Sequence, residues 1–171
     1  LLLPLLDQPC PVERMSAVYA LGRNPFPSAV EKLVSLLETD DNAYVRRATA
    51  WSLANYDNQI VLKPLIDSLK NDVASVRLWS SSSLAEIGSI SSSNAQLAAE
   101  QLLISLKIDN EPVVRSNCIW SLCRLFEKLN EISQESFVDE CTKIALFDKE
   151  PSVMEEAKTA LDSMGMKGFY K

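Results

Sequence analysis

Apolar residues recur at three- and four-residue spacing in four stretches of the chain: "SAVEKLVSLLE" from Ser28, "VLKPLIDSLK" from Val61, "NAQLAAEQLLISL" from Asn94 and "QESFVDECTKIAL" from Gln134. That spacing places them on one face of a helix. After each stretch comes a second kind of segment, poorer in large aliphatics and richer in Ala, Ser and Cys. Examples are "VRRATAWSLANY" from Val45, "VRLWSSSSLAEIG" from Val76 and "VRSNCIWSLCRL" from Val114. Nowhere is there sustained alternation of apolar and polar residues, so no strand is expected. The pattern predicts helices in pairs, one amphipathic and one with small residues on its packing face.

The pairs repeat. With the Val of each Val-Arg segment as reference, Val12, Val45, Val76, Val114 and Val153 align, at intervals of 33, 31, 38 and 39 residues. The next residue is Arg46, Arg77 or Arg115, with Glu13 and Met154 in the outer copies. Five positions before the Val stand Asp7, Asp40, Asn71, Asp109 and Asp148; eight after it stand Ala20, Leu53, Leu84, Leu122 and Leu161. Such a period is the signature of a solenoid. The expected fold is all-α: an α-solenoid of about five helix pairs forming one domain over residues 1–171, with repeats near 1–24, 25–58, 59–90, 91–130 and 131–168. The first repeat is incomplete, keeping only "LLLPLL" of its upstream helix.

Punctuation residues agree with this division. Asp41, Asp72 and Asn110 suit helix N-caps, Pro11, Pro112 and Pro151 suit a first turn, and Gly22, Gly88 and Gly165 suit left-handed helix ends. The run Ser80–Ser83 supplies small residues for close packing, and Ser89–Ser93 reads as a polar loop.

On the second helix of each pair, the reference Val and the residues four, five, eight and nine after it form the core face. They include Cys118 and Cys123 in the fourth copy. Residues two, three, six, seven and ten after it lie opposite. All three tryptophans fall there: Trp51 and Trp120 at six, Trp79 at three. With them stand Arg14 and Arg47 at two, Asn117 at three, Tyr19 at seven, and Asn55, Glu86 and Arg124 at ten. Aromatics beside guanidinium groups make an interaction surface, since Trp, Tyr and Arg dominate interface hot spots. A Trp tucked beneath a neighbouring helix is the competing placement.

The formal charge of -6, without histidine, argues against nucleic acid or an anionic membrane as the main partner, because both need a dense basic face. "LLLPLL" is too short to span a bilayer, so membrane insertion is not expected. Lacking an initiating Met, the chain is expected to begin partway through a larger protein. Without His, proton transfer falls to other groups, and no metal site is expected. Cys10, Cys118, Cys123 and Cys141 match no common zinc or cluster spacing. Cys118 and Cys123 are about 140° apart around their helix at 3.6 residues per turn. The thiols read as reduced fillers in a reducing compartment, with Cys10, in "QPCP", the most reactive.

"DDNAYVRRATAWSLA" and "NDVASVRLWSSSSLAEIG" resemble the HEAT repeat, and the short units resemble the HEAT-like repeats of phycobilisome lyases of the E/F type. The resemblance implies a ladder of Asp and Arg between neighbouring copies, here Asp40, Arg46, Arg77, Asp109 and Arg115. It also implies that the second helices line a concave groove, making the tryptophans a binding ridge. Two functions follow from it. One is a phycobilin lyase component, holding a transient open-chain bilin and a phycobiliprotein client in a cyanobacterial cytosol or plastid stroma, with a second HEAT-like subunit as a candidate partner. Arg47 and Arg124 would hold propionates, and Glu86 is the nearest candidate proton donor. The other is a non-catalytic scaffold or assembly factor for photosynthetic or cofactor-containing proteins, gripping a protein client in the same groove. No tightly bound cofactor is expected in either.

Overall fold

The computed structural model describes residues 2–168 and 170. Its helices are α1 (Pro11–Arg23), α2 (Val30–Thr39), α3 (Ala43–Leu53), α4 (Leu62–Asn71), α5 (Ala74–Gly88), α6 (Ser92–Ile108), α7 (Pro112–Leu125), α8 (Glu131–Phe147) and α9 (Pro151–Ser163). A short 3-10 helix, Leu3–Asp7, packs on α1 where an upstream helix would stand. Among the described residues there is no strand. The odd-numbered helices stack as one layer and α2, α4, α6 and α8 as the other. The chain is an α-solenoid.

The odd-numbered layer is the more closely packed, which makes it the inner, shorter side of the stack. Small residues permit this. Ser80, Ser81 and Ser83 of α5 are buried, as their run suggested. The Ser83 hydroxyl donates to the Ala50 carbonyl at 2.8 Å, and the Ser121 hydroxyl donates to that of Ser81 at 2.9 Å. Both serines stand seven after their reference Val, so each reaches back to the previous inner helix. Gly22 and Gly88 were expected as left-handed helix ends. Only Gly165 of the three has positive φ, at 79°. The other two mark close approaches. A Cβ on Gly22 would lie 2.5 Å from the Trp51 ring, and one on Gly88 would lie 2.9 Å from Leu125.

Pro11, Pro112 and Pro151 do open α1, α7 and α9. The caps differ from expectation. Asn42, not Asp41, caps α3, accepting from the Tyr44 and Val45 amides. Asp72 accepts from the Val73 amide, but Val73 itself is the N-cap of α5, and Asn110 caps nothing, since Glu111 precedes α7. Of the serine loop, Ser91 caps α6, and Ser92 and Ser93 belong to that helix.

The ladder runs the length of the stack. Arg14 pairs with Asp40, Arg46 with Asp72, Arg77 with Asp109 and Arg115 with Asp148, each at 2.7 Å. Every pair is bidentate. Each guanidinium also donates back to the loop of its own repeat, to the carbonyls of Gln8, Asp40, Asp72 and Asp109. Each Asp in turn accepts a backbone amide at the start of the following helix: Asn42, Val73, Glu111 or Glu150.

The five expected members all belong to the ladder, and Arg14, Asp72 and Asp148 complete it. The rung in the third repeat is Asp72, where alignment on the Val places Asn71. Asp7, aligned with the ladder acids, pairs with Lys32 instead. Arg14 belongs to the ladder and not to the groove face. The first copy is in register one residue later than its Val suggests: Val12 is exposed, whereas Val45, Val76, Val114 and Val153 are fully buried. Taking Glu13 as the reference places Arg14 beside Arg46 and puts buried Ala17, Val18 and Leu21 on the core face.

Burial opposes ionisation of Asp40, Asp109 and Asp148, but the paired guanidinium and the backbone amide outweigh it and hold all three pKa values below the ordinary 3.8. A depressed folded-state pKa stabilises the fold above the unfolded value, and the contribution is lost as pH falls through the folded one. Urea midpoints should therefore hold near neutrality and drop below pH 3.8. Arg77→Ala, which strands a nearly buried carboxylate, should destabilise by about 2–4 kcal/mol at pH 7. The difference between Arg77→Ala and wild type should shrink as the acids protonate. An unchanged difference at pH 2–3 would deny the ladder this role.

Candidate binding groove

The outward stripe of the inner layer consists of residues one before and three, six and ten after each reference position. The corrected register puts Tyr19 at six, matching Trp51 in the second repeat and Trp120 in the fourth. Ser82 occupies that place on α5, whose aromatic, Trp79, stands one turn earlier. Trp79 and Trp120 are 38% and 39% exposed, large values for residues with so much apolar area to bury. Trp51 is different. It is half-buried, lies over Gly22, and meets the Tyr19 ring with centroids 5.4 Å apart at a 55° tilt. This pair closes the first end of the ridge and belongs partly to the packing between α1 and α3. The tucked placement thus holds for one Trp of three.

The charged candidates are already engaged. Arg124 lies over the Trp120 ring, 5.0 Å from its centroid, and bonds Glu86 at 3.0 Å. Arg47 lies over Tyr44, 5.4 Å from its centroid. A cation over an aromatic face is held by the ring quadrupole, so both arginines are kept on the groove side. Asn117, expected to face a ligand, donates to the Leu78 carbonyl and the Ser81 and Ser82 hydroxyls, fastening α7 to α5. Asn55 is exposed at the end of α3.

Between α5, α7 and α9 the stripe opens into a trough of about 490 Å³ lined by Ser82, Val113, Ser116, Asn117, Trp120, Ser152 and Glu156. Val113 and Tyr44, exposed apolar residues one before the reference Val, add to this surface. The sequence reading missed both, although they continue the helical spacing of the stripe. A trough with an indole wall, a Val and one carboxylate can hold an apolar or cationic side chain. Among the described residues no group of His, Cys, Asp and Glu could hold a metal ion.

The thiols lie away from the groove. Cys118 and Cys141 are buried, Cys123 is half-buried and Cys10 is exposed. Burial pushes the Cys118 and Cys141 thiols far above the ordinary value, and Cys123 to about 11.

The comparisons agree with this architecture. A family model described as HEAT repeats matches residues 1–85. No curated protein matches the chain. An engineered protein solved by a structural genomics consortium is 23% identical, with a TM-score of 0.68 over 94% of this chain and 78% of its own. A second one is 19% identical, with a TM-score of 0.67 over 94% and 76%. A designed armadillo repeat protein, solved with the peptide (KR)4, is 19% identical, with a TM-score of 0.65 over 98% and 88%.

Two expectations follow. Trp120→Ala should lower stability by less than about 1 kcal/mol. Trp51→Ala should cost about 2–3 kcal/mol and the core control Leu122→Ala about 3 kcal/mol. Urea denaturation of the three variants orders them, and equal losses for Trp120→Ala and Leu122→Ala would make Trp120 structural. In native buffer Cys10 should react first with a thiol reagent, and Cys118 and Cys141 only on unfolding. Labelling of Cys118 as fast as Cys10 would contradict its placement. The chain is an α-solenoid whose residues 1–85 match HEAT repeats.

Proposed function

We propose that this chain is a non-catalytic protein-interaction scaffold that holds a polypeptide segment along its inner helical layer. The observation that carries this reading is the row of accessible aromatic residues, Tyr44, Trp79 and Trp120, on successive inner helices. Neighbouring repeats lie about 10 Å apart at helix-packing distances, so such a row presents anchor points at nearly regular intervals. An extended or helical peptide can meet several at once. The designed armadillo repeat protein that shares this fold was solved with a peptide, which supports a polypeptide occupant.

The phycobilin lyase reading, with its bilin and phycobiliprotein client, rests on the resemblance alone. Glu86, its candidate proton donor, is bonded to Arg124, and Arg124 is thereby drawn from the propionate role. No helix among the described residues is long and apolar enough to cross a membrane.

A photo-crosslinking amino acid at position 79 or 120, introduced in the native host, should give protein adducts. The same residue at Glu100, on the outer face of α6, should give none. Adducts from position 100 alone would reject the inner layer as the binding surface. A pigmented adduct with bilin absorbance would restore the lyase reading.

A further inference from the structure

The trough between α5, α7 and α9 offers acceptors in excess of donors. Glu156 is the one ionisable residue in its lining. It is half-buried, and no lysine or arginine among the described residues lies within salt-bridge reach of it. Its neighbour Glu155, by contrast, is paired with Lys158 at 2.7 Å. Asn117 turns its amide nitrogen to α5, where it donates to the Leu78 carbonyl and the Ser81 and Ser82 hydroxyls. Its Oδ1 is left without a donor among the described residues. The hydroxyls of Ser116 and Ser152 accept as readily as they donate. The Trp120 indole forms a wall, and the face of such a ring is the negative part of its quadrupole.

Arg124 does not supply the missing cation. It rests over Trp120, is paired with Glu86 and stands outside the trough lining. Nor does the fold require Glu156. Its place, three after the reference residue, holds Ser16, Ala48, Trp79 and Asn117 in the other repeats. An apolar occupant would strip water from this unpaired carboxylate and give nothing back, which is costly. A basic side chain does the reverse. Its methylenes lie along Val113 and the indole, its charge meets Glu156, and its N–H groups find Asn117 Oδ1 as an acceptor.

We infer that the trough receives a basic side chain, arginine or lysine, from the polypeptide held along the inner layer. The inference rests on that reading of the inner layer and names the chemistry of the occupant. Glu156 is the ion-pair partner and Trp120 the packing wall.

The test uses short fluorescein-labelled peptides of one Gly-Ser framework, with Arg, Lys or Leu at alternate positions. Each is titrated with the whole chain and followed by anisotropy. The Arg or the Lys peptide should bind about tenfold or more tighter than the Leu peptide, and more weakly as salt rises. Glu156→Gln and Trp120→Ala should each weaken that binding by about tenfold, equivalent to about 1.4 kcal/mol. Glu156 has no partner in the fold, so its replacement tests the site without unfolding the chain. Glu100→Gln changes the net charge equally but lies on the outer face of α6, and it should leave binding unchanged. Equal weakening by Glu100→Gln and Glu156→Gln would reduce the effect to general attraction by an acidic chain and overturn the inference. A Leu peptide that binds as tightly as the basic ones, and is lost in Trp120→Ala, would overturn the basic occupant but keep a polypeptide in the groove. Binding of none of the peptides would also overturn the inference. Crosslinking at positions 79 and 120 judges the inner-layer reading independently, so the two fail separately.

Discussion

Each ladder guanidinium is held between a carbonyl of its own loop and the carboxylate of the next repeat, and that double attachment sets the spacing of the stack. A helix pair alone buries only one side of each helix, so a solenoid depends on neighbours meeting in one register. Apolar contacts favour contact without specifying it closely; a planar fork with two fixed acceptors does specify it. The Asp completes the arrangement, because the oxygens that accept the guanidinium also order the turn into the following helix. Helix start and repeat spacing are thus fixed by the same carboxylate. The four rungs end on neutral residues. Gln8 stands where the first acid would be, and Met154 where the last Arg would be.

The inner layer follows from that spacing. Held close along the ladder edge, the inner helices need small residues where their backbones approach, and Gly22, Gly88 and the buried serines supply them. The core face of these helices holds buried leucines and isoleucines such as Leu53, Leu84, Ile119 and Leu122, whereas residues pointing away face an open trough. Large aromatics therefore fit only on the outward stripe or over a glycine. Trp51 takes the second option, over Gly22, and Trp79 and Trp120 the first. One residue type at equivalent places serves packing in one repeat and surface in another, because the neighbouring residue differs.

Helix pairing, the repeat and most of the ladder were legible in the sequence, because they rest on short-range patterns. The errors arose where a local signal competed with a neighbour's. Val12 looked like its counterparts, yet Pro11 held the true register: Pro112 and Pro151 stand two before their buried Val, which makes Glu13 the reference in the first copy. Asn71 was read in place of Asp72 because the third loop is one residue shorter. Gly22 and Gly88 were read as local turns, but their cause lies 29 and 37 residues further on, in Trp51 and Leu125. Asn117 lies on the expected face and lines the trough, but its amide also fastens α7 to α5. Its partners, Ser81 and Ser82, belong to the previous helix, and no periodicity reveals which polar residues bond one another. Tyr56, whose hydroxyl donates to the Leu21 carbonyl at 3.0 Å, escaped notice for the same reason.

A repeat array also contains its own controls. Wherever all copies share a residue, the fold accounts for it, as with the ladder and the buried Val. Wherever one copy departs at a cost to solubility, the fold does not, and a contact outside the chain is the natural reason. By that criterion Trp79 stands out, since no other repeat places a large aromatic at its position on the stripe. Phe147 and Ile108 stand out more strongly, because Asn71 and Thr39 demonstrate the soluble alternative on the same backbone. Exposed aromatic and aliphatic side chains promote self-association unless occupied. The inner stripe mixes Arg47, Glu86 and Arg124, and a notch between α6 and α8 likewise sets Lys107, Lys143 and Lys149 beside Glu140 and Glu150.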